Sequence, residues 1–126
     1  MTHISKSVVE KMFEAFTKGD IDLFLETVSS DTRWIYHGTQ VIPKGEWNGK
    51  EGARKFITNI LNKTEIISFE PMQYICDGDM VVVLGREHQR TKRSGKELKQ
   101  NWVQVYTVKD NLITHMEEFA SSEVVS

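Results

Sequence analysis

A chain of 126 residues with a formal charge of −2, 39% hydrophobic and 27% charged, has the length of one ordinary domain and enough apolar content for a single core without staples. Mixed signs exclude a global field that would draw in nucleic acid or an anionic membrane, and no apolar run approaches the ~18 residues of a membrane span. The lone Cys76 excludes an internal disulfide, and nothing near Met1 has the basic stretch, apolar run and cleavage site of a secretory signal, so one domain over residues 1–126 in a reducing cytoplasm is expected.

Val8, Val9, Met12, Phe13 and Phe16 recur at helical spacing, and Gly19 then supplies a residue that takes φ > 0 cheaply at a helix end. Asp20 is placed to cap a second helix with Ile21, Phe24, Leu25 and Val28 along one stripe. From Asp31 the period switches to two: Trp34 and Tyr36 share one face of a short strand, while Arg33, Ile35 and His37 share the other. Gly38 to Trp47, with Pro43 and Gly45, reads as a loop. Asn48 with Glu51 three residues on resembles a capping box for a third helix, whose buried stripe is Ala53, Phe56, Ile57, Ile60 and Leu61.

Four strand-like runs follow, Ile66 to Cys76, Met80 to Arg90, Leu98 to Val108 and Leu112 to Ala120. Between them stand Asp77-Gly78-Asp79, Ser94-Gly95 and Asp110-Asn111. Such dipeptides tolerate the positive φ of tight hairpin turns, so an antiparallel meander is expected. Pro71 lacks an N–H and belongs at a bulge or strand end. The tail from Ser121 to Ser126 is expected to fray, and His3 to be disordered.

Two helices, a strand, a third helix and a meander imply an α+β layer structure, one curved antiparallel sheet covered on its concave face by three helices. Three short helices cannot fill a long curved sheet, and the conical space left over is a natural internal pocket for a small molecule. Trp34 and Tyr36 on the first strand, and Trp102, Gln104 and Tyr106 on a later one, have the shape and polar handles to sandwich and orient a flat apolar ligand. His88 has the intrinsic pKa of a proton carrier if it faces that pocket. Of Glu117 and Glu118, strand alternation sends one to each face, and the inward carboxyl acquires a raised pKa suited to a base near neutral pH.

No HxH, HExxH or GxxxxGK spacing occurs, so neither metal nor cofactor is expected. Arg90, Lys92, Arg93, Lys96 and Lys99 crowd one hairpin without interleaved aromatics. They read as a solvated tip rather than a nucleic-acid surface.

The stretches FTKGDIDLFLETVSSD, WIYHGTQVIPKGEWNGKEGARKFI, FEPMQYICDGDMVVVLGRE and NWVQVYTVKDNLITHMEEF, which span nearly the whole chain, resemble the NTF2-like (cystatin-like) superfamily, in particular its SnoaL-like and ketosteroid-isomerase-related branches. The resemblance implies a homodimer paired through sheet faces, and it places a glutamate of related sequences at Glu118. It also places the isomerase tyrosine at Met12 and the isomerase base at Tyr36. The third isomerase position falls within Gln100-Asn101-Trp102, which lacks an Asp, and the cyclase acid/base falls near Ser121. Steroid isomerisation and the usual cyclase chemistry are therefore not expected.

The expected function is a pocket that binds a small, mostly apolar carbonyl-bearing or aromatic metabolite, with cofactor-independent isomerase, cyclase or lyase chemistry on Glu118 and His88 as one form of it. The alternative is a non-catalytic homodimeric association or ligand-carrier module.

Overall fold

The computed structural model describes residues 4–38 and 44–125, with side chains through Ser121. His3, Pro43 and Ser126 lie outside the described residues. The elements are α1 (Ile4–Lys18), α2 (Ile21–Glu26), β1 (Val28–His37), β2 (Gly45–Asn48), α3 (Gly49–Lys63), β3 (Thr64–Asp77), β4 (Met80–Thr91), β5 (Glu97–Lys109) and β6 (Leu112–Val125).

Helix α1 buries Val9, Met12, Phe13, Ala15 and Phe16 and ends at Gly19, whose φ is +69°. The Asp20 carboxylate accepts the Leu23 N–H at 3.0 Å and so caps α2. That helix stops at Glu26, and Val28 belongs to β1 rather than to the helical stripe expected from the sequence. Thr27 closes the helix by donating its hydroxyl to the Phe24 carbonyl at 2.6 Å, and its own carbonyl accepts the Ile113 N–H from β6. A strand partner thus captures the chain at the point where the sequence period is still ambiguous.

The strands form one mixed sheet in the order β2-β1-β6-β5-β4-β3. β3 to β6 are the expected antiparallel meander, and β1 joins the last strand in parallel. The loop expected up to Trp47 is shorter than that, because Gly45 to Asn48 pair with β1 as β2. Asn48 stands at the N-cap of α3 without a side-chain cap bond, so the capping box is not formed. Residues 121–125 do not fray from the sheet: they extend β6 along β5 as far as the Glu97–Val125 pair.

Two devices curl the sheet. Register shifts between Ile66 and Ser68, and between Pro71 and Gln73, put bulges into β3. Gly85 lets β4 run beneath the Trp102 ring: a Cβ there would lie 2.3 Å from that ring and 2.7 Å from the Glu70 carbonyl oxygen. On the concave side, α1, α2 and α3 pack against inward rows from β1, β4, β5 and β6, including Val81, Val83, Tyr106, Ile113 and Met116. A buried side chain of this size contributes roughly 1.5–3 kcal/mol, so the helices are held by the sheet rather than by their own propensity.

Candidate functional site

The inward row of β5 alternates Leu98, Gln100, Trp102, Gln104 and Tyr106, and that of β4 alternates Val81, Val83, Gly85, Glu87 and Gln89. Three glutamines and a glutamate therefore enter an otherwise apolar concave face, toward the ends of β4 and β5 that carry Gln89 and Leu98. Cross-strand register makes pairs of them. Glu87 lies opposite Gln100, Gln104 lies opposite Glu118, and Glu118 lies beside Tyr36 of β1.

These groups border a narrow cavity of about 50 Å³ that opens to solvent at its mouth. Helices α1 and α3 roof it with Met12, Phe13, Phe16, Phe56, Ile57 and Ile60, and the strands bring Trp34, Tyr36, Phe69 and Tyr106 together with the polar row. Phe56 stands 5.8 Å, centroid to centroid, from both Trp34 and Tyr36. One side of the cavity is thus walled by tilted rings.

Gln104 donates its Nε2 to Glu118 Oε1 at 2.9 Å and accepts the Tyr106 hydroxyl on its own Oε1 at 2.5 Å. The tyrosine proton fixes which way the amide faces, and the amide then presents its NH₂ to the carboxyl. Gln100 Nε2 donates to Glu87 Oε1 at 2.7 Å in the same manner. Glu118 is 7% exposed and Glu87 8%.

Loss of hydration pushes the Glu118 carboxyl up to about 8, helped by the nearby charge of Glu87 and opposed by the Gln104 hydrogen bond. Glu87 is pushed up to about 7 by the same desolvation, with Gln100 pulling the other way. Burial, and then the charges of Glu118 and Glu87, hold the Tyr36 phenol protonated far above its ordinary range. Two carboxyl groups that exchange protons near neutrality thus sit within one aromatic cavity, which is the arrangement general acid–base chemistry requires.

Of the residues singled out in the sequence, Trp34, Tyr36, Gln104, Tyr106 and Glu118 all line this cavity. Glu118 is the inward member of its pair. Glu117 points outward and meets His37 Nε2 at 2.7 Å, with His37 stacked on Phe119. Trp102 is buried but does not line the cavity: its ring stacks on Phe69 at 5.1 Å, and its Nε1 has no partner among the described residues. Trp34 differs in that its Nε1 donates to Thr32 Oγ1 at 3.0 Å, so its polar atom is spent on the fold.

His88 does not face the cavity. Strand alternation turns it to the outer face, where Nε2 meets Glu97 at 2.7 Å, and turns Glu87 inward instead. Glu87 is the functional group missed in the sequence. Its shared parity with Val81 and Val83 was the available signal. Among the described residues no group of His, Cys, Asp and Glu could hold a metal ion.

The sequence model of the SnoaL-like domain matches residues 9–116. An NTF2-like protein from Burkholderia xenovorans LB400 superposes with a TM-score of 0.85 at 25% identity, over 96% of this chain and 92% of that one. TerC, co-crystallised with polyporic acid, gives 0.79 at 21% identity, over 94% and 92%. A Mesorhizobium loti protein described as a SnoaL-like polyketide cyclase gives 0.70 at 20% identity, over 94% and 99%. No curated protein matches the sequence. The match over most of the chain, together with a curved sheet of this topology closed by three helices, makes the protein a member of the SnoaL-like domain family within the NTF2-like superfamily.

Proposed function

We propose that the chain binds a small, mostly apolar, aromatic or carbonyl-bearing metabolite in the cavity and moves a proton on it without a cofactor, with Glu118 as acid/base and Trp34, Tyr36, Gln104 and Tyr106 as the walls that orient it. The observation that carries this reading is the pair of buried carboxyls that line one aromatic cavity, each held in place by one amide. An ionised carboxylate without a cationic partner in an apolar site is a stronger base than in water. In such a step Glu118 takes the proton from carbon beside a carbonyl, and the protonated carboxyl returns it to a different atom of the same ligand. The enclosing rings exclude water and fix the orientation.

The names of two structural relatives, one called a SnoaL-like polyketide cyclase and one co-crystallised with polyporic acid, support an organic ligand with aromatic or carbonyl groups. Among the described residues no helix is long and apolar enough to cross a membrane.

The test is to incubate the protein in D₂O with a panel of aryl ketones and follow deuterium entry beside the carbonyl by NMR. Exchange that is accelerated by the wild type and lost in Glu118→Gln is expected. A panel that exchanges equally with both proteins would overturn the catalytic assignment.

A second reading is favoured by the outer sheet face, where Met72, Leu84 and Phe119 are exposed around an apolar groove. It makes the chain a homodimeric association or carrier module that pairs through this face. Light scattering distinguishes the two states, and a strict monomer would remove the second reading.

A further inference from the structure

We infer that the cavity takes its ligand as a cation, a protonated aryl or alkyl amine or a quaternary ammonium, seated between the rings of Trp34, Tyr36 and Phe56 and the carboxylates of Glu87 and Glu118. The inference rests on the reading that this cavity is a small-ligand site, and it adds the charge class of the ligand.

The argument begins with what the lining lacks. The helices present only apolar side chains to the cavity, and β3 adds Thr64 and Phe69. The titratable groups that face it are Tyr36 from β1, Glu87 from β4, Tyr106 from β5 and Glu118 from β6. All four become negative on losing a proton. None of the described lining residues is a lysine, arginine or histidine.

An anionic ligand would therefore meet carboxyl groups and no counter-charge, in a site too dry to screen the repulsion. A neutral carbonyl or hydroxyl ligand is oriented by Gln100, Gln104 and the tyrosine hydroxyls and needs one acid at most as a proton carrier, which leaves the desolvation of the buried acid pair without a charge to offset it. A cation answers that cost directly. It lets a carboxylate ionise beside it, and the two buried charges offset each other where either alone would be expensive.

The hydrogen-bond geometry is compatible with this. Gln100 and Gln104 each donate to Oε1 of their glutamates. The aromatic rings of the same cavity support the same ligand class, because ring faces carry the negative end of the quadrupole and attract a cation within about 6 Å of the centroid.

The experiment compares phenyltrimethylammonium with its neutral isostere tert-butylbenzene, titrated at pH 8 against the full chain and followed by tryptophan fluorescence. The two probes share shape and differ in charge. The ammonium is expected to bind about tenfold more tightly, and that preference is expected to fall to within about twofold in the Glu87→Gln, Glu118→Gln double variant. The amides keep the Oε1 acceptors, so the fold is retained, and either single variant reports half of the effect if the double variant does not fold.

Equal or tighter binding of tert-butylbenzene, or a preference that survives in the variants, overturns the inference and leaves the cavity as a neutral-ligand site. If neither probe binds, the small-ligand reading fails together with it.

Discussion

Replacing Glu118 by Gln is expected to stabilise the protein, and to do so only at neutral and alkaline pH. In the folded chain the carboxyl holds its proton up to about pH 8, against an ordinary value of 4.5. Between those values the unfolded state has released a proton that the folded state still binds. Folding is then opposed more strongly with each unit of rising pH, by about 1.36 kcal/mol per unit. The contribution is fully present below about pH 4.5 and is lost as the pH climbs through 8. A displacement from 4.5 to about 8 corresponds to about 5 kcal/mol for Glu118, and one from 4.5 to about 7 to about 3 kcal/mol for Glu87. A glutamine keeps the acceptor for Gln104 and has no proton to lose. Urea unfolding followed by tryptophan fluorescence from pH 5 to pH 9 should show wild-type stability falling steeply and the Glu118→Gln curve falling less. The gap should be small at pH 5 and about 3–5 kcal/mol at pH 9. Parallel curves for the two proteins would refute the placement of an unneutralised carboxyl in a dry cavity.

Gly85→Ala should destabilise by about 1–3 kcal/mol in chemical denaturation, since the new methyl meets both the Trp102 ring and the Glu70 carbonyl, and backbone cannot swing aside; an unchanged midpoint would refute that packing. Gly38→Ala places a Cβ 1.8 Å from the Tyr36 hydroxyl, so it should displace that ring and weaken binding of any cavity probe, which fluorescence titration measures. Asn111→Ala should cost about 1 kcal/mol in thermal unfolding, because Asp110 and Asn111 have φ of +52° and +63° in the β5–β6 turn and alanine tolerates that region poorly. If the outer face pairs two copies, Phe119→Arg should convert a dimer to a monomer in light scattering while leaving the fold intact; a dimer that persists would move the interface elsewhere.

The parts of this fold that were legible in the sequence are those in which a local signal and the tertiary structure agree. Gly19, the Asp20 cap and the three turns each have a steric cause within a few residues, and each appears where its chemistry placed it. The misplaced boundaries are the ones that long-range pairing decides. Val28 satisfies a helical stripe but is claimed by β6, Gly45 to Asn48 carry loop residues but are claimed by β1, and residues 121–125 look like a tail but are claimed by β5. No window of sequence contains those partners.

The site divides along the same line. Alternation alone establishes that Glu87 and His88 face opposite ways, yet it leaves the sign of the strand free, and a bulge in a neighbouring strand reverses every assignment along it. Val81 and Val83 settle the sign, because a row that begins with two fully buried valines delivers Glu87 to the interior and His88 to Glu97 outside. The proton chemistry follows from that one choice of face. A histidine inside would have supplied a base that is neutral when deprotonated and so cheap to bury. The glutamate that takes its place is charged when deprotonated, and in a cavity whose described lining contains no cation the missing positive charge is left for the ligand to supply.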